Sequence, residues 1–508
     1  MTDQIKIKSA LISVFDKEGI EELARKLESF GIQIISTGGT YDFLKARGIY
    51  ATSVESITSY PSILGGRVKT LHPKVFGGIL WRRDQLADVD DVEKYELPSV
   101  DLVIVDLYPF EKTIASTVNE QEIIEQIDIG GISLIRAAAK NYAHVVVVPS
   151  TGFYPLLLNI LEKNNGFTNL NDRRLFATQA FNISSHYDTL IFNYFNRKEN
   201  IRVFKQSILL SCPMRYGENP HQEATFFGDP DSVFIKLHGK ELSYNNLVDV
   251  DAAINLIGEF TEPTVAIIKH TNPCGVASRS SIKLAYLDAL ACDPVSAYGG
   301  IIIANGIVGM DTAEELNKLF FEILIADDFE NDALDRLKSK KNRIILRKNS
   351  FAFSSRQFKS ILNGVLEQEK DLKSEQETDF QYVSKKKPTS QEADALIFAN
   401  KIVKHLKSNT IVLINNRQLI GCGMGQTSRV DALRQAIIKA NAFGFDTKGS
   451  VMASDAFFPF ADCVEIANEA GIKTVIQPGG SIRDIDSVNY CDEHDMSMVF
   501  TGIRHFKH

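Results

Sequence analysis

The chain has 508 residues, of which 44% are hydrophobic and 24% are charged, with a formal net charge of −8 and a pI near 5.8. This composition is typical of a globular protein, and the acidic balance argues against a nucleic acid or an anionic membrane as the main partner. The six cysteines include no Cys-x-x-Cys pair, which favours reduced thiols over disulfides or a structural zinc site. No signal-like N-terminal run and no bilayer-spanning apolar run is present in the sequence, so we expect a cytoplasmic protein. The length predicts about three or four domains of ~150 residues each.

Short apolar strands alternate with amphipathic helices up to about residue 200. Residues 9–14 form a predicted strand, followed by a helix that Asp16 can cap. Residues 31–35 form the next strand, before a helix predicted at residues 41–47. This alternation predicts a parallel sheet, in which ligands bind beyond the carboxyl ends of the strands.

Polar residues gather where these strands are predicted to end. The turn at residues 36–40 has hydroxyls and glycines before a helix, which suits a bound anion and equally suits a tight strand–helix turn. The loop at residues 65–74 is basic in a region that is otherwise not, so a phosphate site is favoured over a solvated loop. Tyr108 follows a buried strand, and Asp128 opens a helix that ends near Lys140. We expect all of these groups to lie at positions where they could form one site.

In the remaining part of the chain, the segment Lys269–Gly275 carries the strongest chemical signal. It follows an apolar, β-branched strand at residues 264–268, and rigid strands that deliver polar groups to a loop are typical of catalytic sites. The adjacent Lys269 cation disfavours protonation of His270, which would leave the imidazole available as a base. The alternative is a surface lysine beside a hydrogen-bonded histidine.

Other segments of this part are polar or glycine-rich. Residues 214–222 are too polar to be core, and Glu367–Pro388 is charged and weakly apolar, which predicts a connector. A hairpin at residues 410–420 leads into the glycine-rich run 421–429, whose spacing does not fit a dinucleotide site. The aromatic run at residues 454–462 lies between two acids, so it is either core or a site for a flat heteroaromatic ligand.

Five ordered segments resemble those of the purine-biosynthesis family that combines AICAR transformylase with IMP cyclohydrolase. The segments are RVKTLHP (67–73), RAAAKN (136–141), RYGENPHQ (215–222), KH (269–270) and SDAFFPF (454–460). The resemblance covers essentially the whole chain.

The resemblance implies an α/β protein. A methylglyoxal-synthase-like parallel-sheet domain at residues 1–199 would carry the cyclohydrolase, and two cytidine-deaminase-like α/β subdomains at 200–375 and 376–508 would form the transformylase. The implied chemistry is formyl transfer from 10-formyltetrahydrofolate to AICAR, followed by closure of FAICAR to IMP with loss of water. The family also implies a homodimer with transformylase sites built across its interface, and small-molecule substrates. From the acidic composition we expect no nucleic acid or membrane partner, and from the missing zinc ligands no catalytic metal.

The resemblance also implies roles for individual residues. The AICAR amine is a weak nucleophile, so His270 would act as general base while Lys269 stabilises the oxyanion, and Lys140 would transfer the proton in ring closure. Residues matched to the cyclohydrolase nucleotide are Asp16, Lys17, Thr37, Gly38, Gly39, Thr40, Arg67, Lys69, Thr70, Asp106, Tyr108, Asp128 and Ile129. Residues matched to AICAR are Arg215, Tyr216, Gly299, Glu322, Asn409, Arg429, Phe457 and Arg504, and those matched to the folate are Val430, Asp462, Ser481 and Ile482.

Two positions depart from the family pattern. Phe15 stands where a serine is common and can offer only its backbone amide, and Asp106 stands where an asparagine is common. A carboxylate beside a phosphorylated ligand is costly unless it is paired, so we predict a partner for Asp106 in Lys69 or Lys140. We still expect an active cyclohydrolase.

Two other classes of protein are alternatives for this sequence. A zinc deaminase would need a His-x-Glu segment and a Pro-Cys-x-x-Cys segment, and residues 270–277 supply neither. A nucleotide-sensing protein without catalysis would keep the nucleotide site and have no need of the Lys269–His270 pair. Formyl-transfer activity distinguishes this second alternative.

Overall fold

The computed structural model describes residues 4–508, which form two compact units, a first unit ending at Leu209 and a second unit beginning at Leu210. Both units combine strands and helices, as the sequence predicts. Within residues 4–508, no helix has the length and apolar character needed to cross a membrane. All six cysteines are free thiols, and only Cys212 is not buried.

The first unit is built on a five-stranded parallel sheet of order β4-β3-β2-β5-β6. Its strands are β1 (Gln4–Lys6), β2 (Ser9–Ser13), β3 (Gln33–Ser36), β4 (Thr52–Ser53), β5 (Leu102–Val105), β6 (Val146–Val148) and β7 (Phe167–Asn169). Its helices are α1 (Ile20–Ser29), α2 (Gly38–Ala46), α3 (Val54–Thr58), α4 (Pro73–Leu80), α5 (Leu86–Lys94), α6 (Phe110–Ser116), α7 (Glu120–Glu125), α8 (Gly130–Lys140), α9 (Tyr154–Lys163) and α10 (Leu170–Glu199).

Apolar residues on both faces of the central strands explain this sheet. Every residue of β5 and β6 is buried, which is typical of parallel strands covered by helices on both sides. Helix α1 buries one stripe of side chains and leaves acidic and basic residues outside, so burial of an amphipathic face holds it on the sheet.

Two helices of the first unit differ in extent from their sequence predictions. Helix α2 begins at Gly38, so the predicted glycine turn at residues 36–40 supplies the first turn of the helix. In the sequence, residues 178–194 have the apolar spacing of a helix, whereas α10 runs over 30 residues and is longer at both ends. Asn169 begins α10 with a capping box, a local signal that the apolar periodicity does not contain.

The second unit is organised on a twelve-stranded sheet of order β10-β17-β15-β13-β11-β12-β22-β21-β23-β24-β25-β20. The strands of the second unit are β8 (Ser211–Pro213), β9 (Thr225–Phe227), β10 (Phe234–His238), β11 (Thr264–Lys269), β12 (Asn272–Ser278), β13 (Ile301–Ala304), β14 (Ile307–Val308), β15 (Ile323–Ala326), β16 (Asp328–Phe329), β17 (Ile344–Lys348), β18 (Arg356–Ile361), β19 (Gly364–Glu369), β20 (Gln381–Tyr382), β21 (Ile411–Asn415), β22 (Gln418–Gly423), β23 (Val451–Ser454), β24 (Thr474–Gln477) and β25 (Ser497–Phe500). The pairs β8-β9, β14-β16 and β18-β19 form separate two-stranded sheets. The helices are α11 (Tyr244–Ile257), α12 (Ile282–Cys292), α13 (Met310–Leu316), α14 (Asn331–Lys338), α15 (Ser390–Val403), α16 (Arg429–Ala442), α17 (Asp462–Glu469) and α18 (Asp484–Glu493).

The large sheet contains the same arrangement twice. Each copy has a helix, an antiparallel hairpin, a second helix and then three strands connected by helices. The first copy begins with helix α11 and hairpin β11-β12, and the second begins with helix α15 and hairpin β21-β22. The strands that follow are β13, β15 and β17 in one copy and β23, β24 and β25 in the other, parallel within each copy. The copies meet where β12 pairs with β22. This repetition agrees with the two α/β subdomains that the resemblance implies.

Glycines in the two hairpins allow strand and helix to approach closely. A Cβ on Gly275 would lie 1.9 Å from the Ala289 carbonyl oxygen, and one on Gly423 would lie 1.9 Å from that of Ala432. The prediction of a loop at Pro273–Gly275 is therefore wrong, because these residues belong to strand β12, packed on α12.

The glycine-rich run after residue 420 has the same packing role against α16, since Gly421 and Gly423 end β22. The connector predicted from Glu367 begins inside the exposed hairpin β18-β19.

Candidate active sites

A cavity of about 810 Å³ lies at the carboxyl ends of the strands in the first unit. All residues matched to the cyclohydrolase nucleotide line it, except Asp16 and Gly38. Strand ends of β2, β3 and β5 and the N-terminus of α8 converge there, because parallel strands end at the same edge of a sheet. Gly130 and Gly131 also line the cavity, so the positive end of the α8 dipole faces any anion bound in it.

Basic side chains form one side of this cavity. Lys69 packs so closely on Gly66, whose φ is +94°, that a Cβ there would lie 2.7 Å from Lys69 Cε. Arg67 forms an ion pair with the exposed Glu125, and Lys17 donates to the carbonyl oxygens of Val14 and Phe15. Burial lowers the pKa of Lys17, although nearby Asp106 and Asp16 act in the opposite direction. These cations are suited to a phosphate group.

Asp106 is held by backbone amides. Its carboxylate accepts hydrogen bonds from the Phe15 N–H and, at 2.8 Å, from the Asp16 N–H. The predicted pairing with Lys69 or Lys140 is wrong: within residues 4–508 Asp106 makes no ion pair, and the lysine whose charge acts on it is Lys17. Burial raises the pKa of Asp106, while the amide bonds and Lys17 oppose that shift.

A second carboxylate, Asp128, faces the same cavity beside Tyr108. Its Oδ1 accepts the Gly131 N–H at 2.6 Å, and its own N–H donates to the Tyr187 hydroxyl at 2.9 Å. Burial raises the pKa of Asp128, and the neighbouring Asp106 adds to the effect. Burial also raises the pKa of Tyr108, and Asp128 contributes. Carboxyl groups with raised pKa values in a polar cavity are candidates for proton transfer.

Lys140 lies at the opposite end of α8 from this cavity. It ends the helix that Gly130 begins, and ten residues at ~1.5 Å each separate the two by roughly 15 Å. Lys140 is exposed, while the alanines before it are buried against the sheet. The next residue, Asn141, donates to the carbonyl oxygens of Ile79 and Trp81 at 2.7 and 3.1 Å. Within the first unit, the RAAAKN segment thus packs helix α8 against the sheet and does not line the cavity.

A larger cavity, of about 1250 Å³, opens at the other edge of this sheet. It is lined where the strands begin, at Ser9, Gln33 and Asp101. Asp101 is buried and forms an ion pair of 2.6 Å with Arg83. No residue matched to a substrate lines it.

In the second unit, Lys269 and His270 lie where β11 turns into β12. His270 and Thr271 both have positive φ, at 50° and 64°, as a two-residue hairpin turn requires. Lys269 Nζ donates to the carbonyl oxygens of Tyr298 and Gly299 at 2.9 and 3.1 Å, whereas His270 is exposed. An ammonium has three N–H donors, so the third remains available to a substrate oxygen.

Asp249 is the residue at this turn that sequence reasoning missed. Its Oδ1 accepts the Thr271 N–H at 2.7 Å and so braces the strained turn from helix α11. Burial raises the pKa of Asp249, and the charges of His270 and Lys269 oppose that rise. No motif marks this aspartate, because its partner is 22 positions away. Nearby, Glu322 accepts from Lys240 at 3.3 Å and from Asn246 at 3.4 Å.

A buried arginine organises the corresponding region of the second copy. Arg429 Nη2 lies 2.8 Å from Asp455 Oδ1 and 3.0 Å from Asn409 Oδ1, and Nη1 donates to the Phe457 carbonyl oxygen at 3.2 Å. Asp455 is fully buried, so this ion pair is shielded from water. The structure thereby brings together three residues matched to AICAR.

Other residues matched to ligands are distributed over nearby loops. Lys407 N–H lies 3.4 Å from Asn272 Oδ1, which connects the hairpin turn to the segment before Asn409. Arg215 contacts its neighbour Tyr216 at 2.9 Å, and Arg504 lies over the ring of Phe506. Among the hydrogen bonds and ion pairs of residues 4–508, none joins Arg215 to Arg429, and none joins either arginine to the side chains of Asp462 or Ser481, which are matched to the folate.

The residues that would bind zinc in a deaminase have other roles in this chain. Cys274 is buried in β12, where burial raises the pKa of its thiol to about 12. Among residues 4–508, no group of three His, Cys, Asp or Glu side chains is arranged to bind a metal ion.

Comparison with known proteins identifies the class and then the family. An MGS-like domain matches residues 19–133, and the AICARFT/IMPCHase bienzyme family matches residues 138–439. Relatives called "Bifunctional purine biosynthesis protein PurH" are 56% identical in Bacteroides thetaiotaomicron, over the whole of both chains, and 45% identical in Aquifex aeolicus, over 98% of this chain and all of the relative. A third, from a Thermoanaerobacter species, is 47% identical over 99% of this chain and all of that one.

The fold and the two polar sites define an α/β enzyme of nucleotide metabolism. The chain belongs to the AICARFT/IMPCHase bienzyme family. It is a bifunctional enzyme of purine biosynthesis that formylates AICAR with a folate donor and closes FAICAR to IMP. The predicted family, its fold and both activities are confirmed.

Proposed function

We propose that ring closure takes place in the 810 Å³ cavity of the first unit and formyl transfer at the Lys269–His270 turn of the second. The observation that carries the second assignment is the anchoring of the Lys269 ammonium by two carbonyl oxygens, directly beside an exposed imidazole. The domains would then be residues 1–199 for the cyclohydrolase, and 200–375 and 376–508 for the transformylase.

In formyl transfer, the AICAR amine attacks the formyl carbon of 10-formyltetrahydrofolate and loses a proton. His270 accepts that proton, and the third Lys269 N–H donates to the oxygen that becomes negative. When the new C–N bond has formed, the bond between the formyl carbon and the tetrahydrofolate nitrogen breaks, and that nitrogen takes the proton from His270. The turn supports this assignment because the positive φ values of His270 and Thr271, braced by Asp249, fix the backbone that presents the imidazole.

The polar cluster of the second copy would bind AICAR. A buried guanidinium with neighbouring amide and carbonyl groups suits a carboxamide and its nucleotide, so Arg429, Asn409 and Phe457 are proposed to contact it. Arg215, Tyr216, Gly299, Glu322 and Arg504 complete the proposed AICAR set, and Val430, Asp462, Ser481 and Ile482 the folate set.

In ring closure, the FAICAR carboxamide nitrogen attacks the formyl carbon, a C–N bond forms and the formyl oxygen leaves as water. Arg67 is proposed to bind the phosphate with the α8 N-terminus, while Asp128 and Tyr108 handle the protons. Lys69, which lines the same cavity, is proposed as the catalytic ammonium. Lys140 is the alternative that the resemblance favours, although in the first unit it lies a helix length from the cavity.

Three variants test these assignments together. His270→Ala should lower formyl transfer about 10²–10⁴-fold and leave ring closure of supplied FAICAR intact. Lys69→Gln should have the opposite pattern, with ring closure lowered at least ~10²-fold. Lys140→Gln is the matched control. Loss of ring closure in Lys140→Gln but not in Lys69→Gln would move the reaction out of the proposed cavity, and loss of both activities in a folded His270→Ala would contradict two separate sites.

The family resemblance further supports a cytoplasmic homodimer that works without a catalytic metal. Light scattering of the purified protein tests the dimer, and formyl-transfer rates before and after dialysis against a chelator test the metal. A monomer with full transformylase activity would exclude sites shared between subunits.

A further inference from the structure

His505 is a buried histidine held between two carboxylates near the end of the chain. Only 2% of its surface is exposed. Its Nδ1 lies 2.6 Å from Asp371 Oδ2, and its Nε2 lies 3.1 Å from Glu375 Oε2. Both acids belong to the segment between β19 and β20, so the ring ties the C-terminal tail to that segment.

Both carboxylates can be satisfied only by a doubly protonated ring. A neutral imidazole has one N–H, so one carboxylate would face a lone pair. Burial alone would lower the pKa of His505, but its hydrogen bonds to Asp371 and Glu375 outweigh burial and raise the pKa to about 9. The charge of Lys404 also lowers the pKa of Asp371, and Asn400 donates a hydrogen bond to Glu375 Oε2 at 2.7 Å. His505 is therefore an imidazolium at neutral pH.

The same residue contacts the proposed AICAR cluster through its backbone. The His505 N–H donates to the Asp455 carbonyl oxygen at 2.9 Å, and the Asp455 side chain holds Arg429. The tail after Phe500 has no regular secondary structure, and Arg504 lies between the backbone hydrogen bonds of Gly502 to Pro478 and of His505 to Asp455. Beyond His505, Lys507 exchanges hydrogen bonds with Ser408, which precedes Asn409.

We infer that His505 is a positioning residue for formyl transfer, which fixes Arg504 on one side and the Asp455–Arg429 pair on the other. This inference rests on the proposed function, because it takes Arg504 and Arg429 to bind AICAR. The ring holds the backbone of residue 505 to a segment more than 100 positions away, so the adjacent Arg504 reaches the nucleotide without first becoming ordered.

His505→Leu tests the inference, since it fills the space but has no N–H. We expect the KM for AICAR to rise about five- to tenfold, as for a side chain that has lost its preorganisation, with the KM for the folate and the kcat unchanged. Ring closure, measured on the same preparation, is the internal control. Should His505→Leu fail to fold, His505→Gln, which keeps one donor, is measured against the same criteria.

A triple variant, His505→Leu with Asp371→Asn and Glu375→Gln, separates positioning from charge burial. It removes the uncompensated carboxylates, so it should regain thermal stability while the KM for AICAR stays high. The inference is overturned if the triple variant regains the normal KM, or if His505→Leu leaves that KM within about twofold. Arg504→Ala shows which step fails: an unchanged KM there would refute the AICAR assignment itself, whereas a raised KM with a normal His505→Leu would refute only the positioning.

Discussion

Replacement of Asp106 by asparagine tests how the nucleotide cavity of this chain differs from the common family pattern. Asp106 accepts two backbone N–H groups, one on each carboxylate oxygen, from Phe15 and Asp16. An asparagine keeps one acceptor oxygen, and its NH₂ group would face the second N–H. The loop that carries Lys17 into the cavity would lose one of its two attachments to β5.

The size of the effect follows from that lost hydrogen bond. Hydrogen bonds to a charged acceptor contribute about 1.5–3 kcal/mol, and solvent access to this half-buried carboxylate reduces the value to about 1 kcal/mol. Since each ~1.4 kcal/mol is tenfold in rate, kcat/KM for ring closure should fall roughly fivefold. Phe15 contributes its backbone N–H, and its ring packs edge-on against that of Tyr108, with the ring centroids 5.4 Å apart.

The assay is IMP formation from supplied FAICAR, with formyl transfer as a second readout that should not change. Asp42→Asn is the matched control, because it makes the same charge change at an exposed position of the same unit. The acid side of the pH profile adds a check: burial raises the pKa of Asp106, so the wild type should lose activity as pH falls through that raised value, and the variant should lose less. Ring closure that is unchanged or faster in Asp106→Asn would refute the attachment of the loop by its carboxylate.

Two further outcomes follow from the contacts. A fragment of residues 1–209 should fold alone and retain ring closure, because its sheet is complete and its last residues pack on α10, where His186 Nδ1 lies 2.9 Å from Ser207 Oγ. An insoluble fragment would mean that its core depends on the rest of the chain. The stability from His505 should be fully present below pH 6.5 and lost as pH rises through about 9, so urea unfolding of the wild type should lose about 3 kcal/mol over that range relative to His505→Leu. Parallel pH dependences of the two proteins would show that the imidazolium does not stabilise the fold.

The sequence alone was sufficient wherever the signal is local. Apolar periodicity marks β2, β5 and β11, and the residues between two β-branched runs predict the hairpin β21-β22. The ordered motifs identified the family and both activities, because they combine side chains whose chemistry is specific. Polar residues at strand ends predicted the cavity, since parallel strands end at a common edge.

Only the tertiary structure decided which groups meet. Asp106 binds the amides of Phe15 and Asp16 because β5 pairs with β2 in a register that puts Val105 beside Ser13, and no sequence pattern across 90 positions contains that register. Lys140 shares a helix with the edge of the cavity, yet the rise of that helix carries it to the far end. Asp249 and His505 carry no motif, because their partners are 22 and 130 or more positions away. Local preference determines the elements, whereas the pairing of distant strands and the burial of charge determine the partners.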